Sequence, residues 1–173
     1  MNSDVLVRLA AAADADILAE HRVAMFREMG LLKPGLEESL RQASTAYFAA
    51  AIPLGEYVGW IAHPVADGSP IAGAGVQFRS LLPRPADGGD RVLLGREGLV
   101  LNVYTAPSWR RRGVAQQLMD TIVQWAAESG VVRLVLSASP AARPLYEGMS
   151  FVGTREMVYS KPLATIGPWT GAS

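Results

Sequence analysis

The stretch Trp109-Arg110-Arg111-Arg112-Gly113-Val114-Ala115-Gln116-Gln117-Leu118-Met119 constrains this chain most. Before it, the apolar run Gly98-Leu99-Val100-Leu101-Asn102-Val103-Tyr104 predicts a strand. After it, an amphipathic run to about Glu128 predicts a helix. A small basic turn therefore joins a strand to a helix N-terminus. The first amides of a helix have no partners within it, and the helix dipole places partial positive charge there. Gly113 has no side chain and Ala115 only a methyl, so a ligand can approach the backbone. Three arginines add charge and forked donors. The combination suits a phosphate or pyrophosphate. No Gly-Lys-Ser/Thr follows, which excludes a Walker A loop, and the single glycine excludes the dinucleotide fingerprint.

The rest of the chain supplies the setting. Val5 to Leu9 predicts a first strand. Asp14 or Asp16 can cap a helix running to Met29, with Gly30 as its stop. Its apolar residues Ile17, Leu18, Val23, Met25 and Phe26 are loosely periodic, which suggests a break or a partly ligand-facing helix. A second helix is expected over 36–50, with Leu36, Leu40, Ala43, Tyr47 and Ala51 as its apolar stripe. Tyr57 to Ala62 and Ile71 to Arg79 predict strands around an Asp67-Gly68 turn. Residues 82–97 are rich in Pro, Gly and charge and are expected to form a long functional or disordered loop. Beyond the basic turn, the helix should bury Ala115, Leu118, Met119, Ile122 and Ala126. Val131 to Leu136 predicts a buried strand, 143–148 a short helix, and 151–160 a last strand. The order is β-α-α-β-β-β-α-β-α-β. It predicts an α/β (α+β) domain over 1–161, one mixed sheet flanked by helices, and a tail over 162–173. The strands near 100 and 133 form a parallel crossover, and ligands bind where such strands part.

Composition narrows the function classes. The formal net charge is zero, so the chain has no overall nucleic-acid footprint, and its arginine cluster reads as a local site. There is no cysteine, which removes disulfides, a thiol nucleophile and thiolate metal sites. Two histidines are too few for a convincing zinc centre, so no metal is expected. His63 beside Pro64 reads as a turn histidine, and His21 as a surface or core residue. The start Met1-Asn2-Ser3-Asp4 lacks the features of a signal peptide. No run approaches the roughly 20 apolar residues of a membrane helix. A soluble cytoplasmic protein is the expectation, with no nucleic-acid or membrane partner and a homodimer left open. Arginine outnumbers lysine 14 to 2, a pattern of GC-rich bacterial coding.

Arg110, Gly113 and Ala115 fill the places of Gln/Arg-x-x-Gly-x-Gly/Ala. The turn thus resembles the acyl-CoA signature of the GNAT acetyltransferase superfamily. Pro144-Leu145-Tyr146-Glu147-x-x-x-Phe151 resembles that family's Leu-Tyr-Glu-x-x-Gly-Phe signature, with Ser150 in place of glycine. The element order matches the family over roughly residues 4 to 161. The resemblance implies that the backbone of Val103 and Tyr104 pairs with the pantetheine arm of acetyl-CoA. It also implies that the turn amides from Arg111 through Arg112, Gly113, Val114 and Ala115 to Gln116 hold the pyrophosphate, with help from the side chains of Arg110, Arg111 and Arg112. Ser139 would touch the cofactor and Tyr146 would meet its thiol end. Trp109 reads as a packing wedge beneath the turn.

The implied reaction is direct transfer of an acetyl group to an amine. The amine must be neutral to attack. At pH 7 roughly one in ten α-amino groups is neutral, against roughly one in a few thousand lysine-like amines. A general base helps the second kind more. Glu97 and Glu28 are the candidates, acting directly or through water, and Glu156 is a third carboxylate of the same kind. A backbone amide near Val103 or Tyr104 can stabilise charge on the thioester oxygen. Tyr146 can donate a proton or hydrogen bond to the departing thiolate. A second reading is an acetyl-CoA-binding sensor or partner subunit without turnover. Residues 20–50 and 82–97 would shape the acceptor site, and neither carries a specific chemical signature.

Overall fold

The computed structural model describes residues 4–86, 88–154 and 157. They fall into two compact units, the first ending at Ser137 and the second beginning at Ala138. In the first, β1 (Val5–Leu9) is followed by a single 3-10 turn (Ala12–Asp14) and α1 (Ala15–Glu28). Then come α2 (Glu37–Ala51), β2 (Tyr57–Pro64) and β3 (Ala72–Ser80). Two short strands, β4 (Arg84–Pro85) and β5 (Val92–Leu93), precede β6 (Arg96–Thr105). The unit closes with α3 (Val114–Glu128) and β7 (Val131–Leu136). The second unit carries α4 (Arg143–Gly148).

Five strands form one sheet in the order β1-β2-β3-β6-β7. β1, β2, β3 and β6 are antiparallel neighbours, while β6 and β7 run parallel with α3 between them. The sheet is mixed and flanked by helices, as expected. Tyr57, Gly59, Gly73 and Gly75 share one face by their register. That face meets α1 and α2, where Leu18, Ala19, Phe48 and Ile61 form a buried cluster with Tyr57. Trp60 and Phe78 point the other way and meet Trp125 of α3, with ring centroids 5.1 and 5.8 Å apart. Leu118, Met119, Ile122 and Ala126 of α3 are buried, as its periodicity predicted. Among the described residues, no helix is long and apolar enough to cross a membrane.

Several expectations differ from the structure. α1 is unbroken despite its weak periodicity. Asp14 precedes it without a side-chain cap; its carboxylate instead accepts the Ala11 amide at 2.8 Å and the Arg8 guanidinium at 2.7 and 2.8 Å. The buried stripe of α2 is Ser44, Phe48 and Ala51, whereas Leu36, Ala43 and Tyr47 are exposed. The predicted stripe is rotated because α2 sets polar side chains as well as Phe48 and Ala51 toward α1. Arg41 pairs with Glu20, the Thr45 hydroxyl donates to Asp16 at 2.9 Å, and Arg27 grips Glu37 at 2.7 and 2.6 Å. A hydrophobicity pattern cannot register such an interface. The expected loop 82–97 contains the β4–β5 ladder and the start of β6. His63 lies within β2, not in a turn. β7 is half-buried throughout rather than fully buried. Residues 151–154 form no strand, and the rest of the predicted last strand, Glu156 included, lies outside the described residues apart from Met157. The predicted tail also lies outside them.

Glycines on β3 make room for large rings. A Cβ at Gly75 would lie 2.0 Å from the Tyr57 hydroxyl, and one at Gly73 would lie 2.7 Å from Nδ1 of His21. Tyr57 is itself wedged against Phe48, centroid to centroid 4.8 Å. Gly75→Ala must therefore displace a buried ring. We expect it to cost about 1–3 kcal/mol in urea unfolding. Unchanged stability would contradict this packing.

His21 is buried, with one ring nitrogen bonded to the Pro70 backbone and Nδ1 without a partner. Burial lowers its pKa to about 4. The unfolded chain takes up this proton near pH 6.5, which the folded chain resists. Stability is therefore fully present above pH 6.5 and falls as the pH drops toward 4. The loss is on the order of 3 kcal/mol. Urea unfolding across this window should show the decline, and His21→Leu should flatten it. A variant that keeps the full wild-type slope would place the titration elsewhere.

Candidate active site

After β6, a 3-10 turn over Pro107–Trp109 leads into the basic turn. Arg111 (φ 61°) and Gly113 (φ 79°) are left-handed, while Arg110, Arg112 and Val114 are not. Alternating hand along successive residues gathers backbone N–H groups into a concavity that suits an anion. Gly113 is the N-cap of α3, where positive φ favours glycine. A Cβ there would meet nothing within 4 Å, so the approach is open. No side chain caps α3, and its first turn holds no acidic residue. The α3 amides are thus left for a ligand. Val114 is buried and anchors the helix start, while Ala115 is half-buried and Gln116 exposed. Arg112 lies over the Trp109 ring at 5.0 Å, which makes Trp109 a half-buried platform under the turn. Arg111 is exposed. These features fit the pyrophosphate of an acyl-CoA.

The strand leading into the turn is irregular where a thioester arm would need it. β6 pairs with β7 from Arg96 to Val100 and then runs on to Thr105 beyond that pairing. On its other side, Gly73 pairs with Tyr104 and Gly75 with Leu101, so one β3 residue faces two of β6. This is a β-bulge at Asn102-Val103. Asn102 has φ 58° and is buried, and its Nδ2 donates to the Leu18 carbonyl at 3.1 Å. Its Oδ1 and the Thr105 hydroxyl are shielded without partners. Val103, in the bulge, and Tyr104, just after it, are both half-buried and lie on the stretch that β7 does not reach. Sequence reasoning did not single out Asn102 as a site residue. The signal was present: asparagine is poor in strands but tolerates left-handed backbone. Tyr104 packs near His21, with centroids 5.2 Å apart, and desolvation raises its pKa.

The two carboxylates singled out from sequence have other engagements. Glu97 lies on β6 in one row with Arg79 of β3 and Arg133 of β7. It is fully buried, and Arg79 and Arg133 each take one of its oxygens. A carboxylate held between two guanidinium groups and sealed from solvent ties β6 to both of its neighbours. Glu28 sits in the last turn of α1 and pairs with Arg110. Arg110 also donates from Nε to the Thr105 carbonyl at 2.9 Å. In the structure its side chain is thus engaged by Glu28 and the Thr105 carbonyl.

In the second unit, Ser139 is exposed, and its oxygens accept the Ala142 and Arg143 amides at the start of α4. Tyr146 is buried and lies edge-on to Phe151 at 5.9 Å. Burial pushes its hydroxyl pKa up, so it stays protonated at neutral pH. Ser150 takes φ 68°, the conformation that glycine usually fills, and the Phe151 amide closes back on the Tyr146 carbonyl at 3.0 Å. The turn geometry survives the Ser-for-Gly exchange. Among the described residues, no three His, Asp or Glu side chains gather to hold a metal ion.

The model of the Acetyltransferase (GNAT) family matches residues 15–151. A GCN5-related N-acetyltransferase from Ralstonia eutropha JMP134 superposes with a TM-score of 0.78 at 32% identity, covering 92% of this chain and 99% of that one. A predicted acetyltransferase from Clostridium acetobutylicum, solved with acetyl-CoA, gives 0.74 at 26% identity over 91% and 96%. The aminoglycoside N-acetyltransferase AAC(6')-Iy, solved with CoA, shares the fold, with a TM-score of 0.64 at 20% identity over 91% and 94%. No curated protein matches the chain. Members of this family use acetyl-CoA, and the anion-ready turn and parted strands described above are of the kind that use requires. The chain belongs to the GNAT family and is an acyltransferase.

Proposed function

We propose that this protein moves an acetyl group from acetyl-CoA to a primary amine of a small molecule or peptide by direct attack. One observation carries the reading. The alternating-hand turn at Arg110–Gly113 opens an uncapped α3 directly after a strand that has parted from its parallel neighbour. The amides from Arg111 to Gln116 would hold the pyrophosphate, with Arg111 and Arg112 adding charge. The edge of Val103 and Tyr104 that β7 does not reach would pair with the pantetheine arm. Their amides, aimed by the Asn102 bulge, would polarise the acyl oxygen. Ser139 is kept as a cofactor contact only on the strength of the motif resemblance. The bound thioester supplies an activated acyl carbon.

Neither Glu97 nor Glu28 presents a free carboxylate. This favours acceptors that need little help in losing a proton. An α-amino group, about one in ten neutral at pH 7, fits better than a lysine-like amine. α1, α2 and the β4–β5 segment would shape the acceptor side. The aminoglycoside acetyltransferase shares the fold alone and does not narrow the acceptor.

Tyr146 would assist departure of the thiolate, and its raised pKa keeps the proton in place. A CoA-like thiol has a pKa near 8.5, below tyrosine's value of about 10, so the thiolate leaves fairly well unaided. General acids contribute about 10²–10⁴-fold, and we expect Tyr146→Phe to slow turnover by roughly 10- to 100-fold. CoA binding should be nearly intact, because the ring remains. Release of CoA thiol, followed with a panel of amino acids, peptides, polyamines and drugs, tests both claims. Wild-type turnover in Tyr146→Phe, where chemistry limits the rate, would contradict the tyrosine's role. Acetyl-CoA binding with no turnover on any amine would favour the sensor reading.

A further inference from the structure

Glu28 sits where an isolated helix would not favour it. It lies in the last turn of α1, whose dipole end is partially negative. What holds it is Arg110, the first residue of the basic turn, far along the chain. Arg110 spends Nε on the Thr105 carbonyl and Nη2 on Glu28, which draws its guanidinium toward α1. The neighbouring residue, Arg27, grips Glu37 in the first turn of α2 with two hydrogen bonds. Two consecutive residues at the end of α1 therefore link the phosphate turn on one side to α2 on the other. Both members of the Glu28–Arg110 pair are partly exposed, at 39% and 44% of their side-chain areas, so an incoming anion can reach Arg110.

We propose that Glu28 is a built-in anion at the phosphate turn, a positioning residue that occupies Arg110 in the free protein and competes with the donor's phosphates for it. The proposal rests on the reading of the turn as a pyrophosphate site. Glu28 thereby acquires a role other than that of a general base.

Calorimetry with CoA and the full chain tests this. Glu28→Gln keeps the size and a hydrogen-bond acceptor but removes the charge. Exposed pairs are weak, so we expect CoA to bind about two- to five-fold more tightly at low salt. The gain should fade at about 0.5 M salt, where such charges are screened. In an Arg110→Gln background, Glu28→Gln should change nothing, whereas a merely diffuse charge effect would persist. Glu28→Ala should shift affinity in the same direction. Unchanged or weaker CoA binding in Glu28→Gln, or a gain that survives in the Arg110→Gln background, would overturn the proposal. Failure of the wild-type chain to bind CoA would instead overturn the reading of the turn itself.

Discussion

Asn102 sits in left-handed backbone in the interior of a strand, with its side-chain amide fastened to the Leu18 carbonyl. Much of the site follows from that placement. The extra residue bends β6 against β3, and the strand runs on to Thr105 after its pairing with β7 has ended. Bulges raise local twist and re-aim the backbone, and they recur beside active sites for that reason. Here the result is a stretch of strand edge, 101–105, next to the turn that begins α3. The tether to α1 ties the bend to the helix that packs across the same face. A bent strand, an adjacent basic turn and a helix over the bend are thus one mechanical unit.

Charge is distributed around this unit with some economy. The chain has as many acidic as basic residues, yet its basic turn is locally rich in arginine. Arg112 is stacked on Trp109, Arg110 is turned toward Glu28, and Arg111 is exposed. The backbone amides, which cannot be redirected in this way, are the part of the turn on which the proposed anion site rests. Farther back along β6, Glu97 is sealed between arginines of the two neighbouring strands. Removing one partner of a buried pair is costly, because a charge is then stranded without compensation. That row pins β6 to both neighbours below the point where β6 and β7 part.

Much of this was legible in the sequence, and the remainder was hidden for identifiable reasons. The β6–turn–α3–β7 block was readable because its strands are apolar runs and its helix has one clean apolar face. Gly113 and Ala115 marked the turn through their small size. The face of α2 was misread because Ser44 is buried on it and Arg41 and Thr45 make polar contacts with α1 beside Phe48 and Ala51. The partners of Glu97 were hidden because a carboxylate in a strand looks free until its cross-strand arginines are known. Strand register fixes those partners, and no local pattern encodes register. Ser150 raised a question that only backbone geometry could answer, and it adopts the glycine-like conformation. The acceptor stays unspecified because α1, α2 and the β4–β5 segment carry generic side chains.

The central claim is that backbone groups of the turn and of the bulged strand hold the acyl donor. Amide chemical shifts of the ¹⁵N-labelled protein, followed as CoA is added, measure this most directly. We expect the largest changes at Arg111 through Gln116 and at Leu101 through Thr105, with slowed hydrogen exchange in the same amides. Saturable binding that leaves those amides unmoved, with the changes clustered elsewhere, would contradict the account.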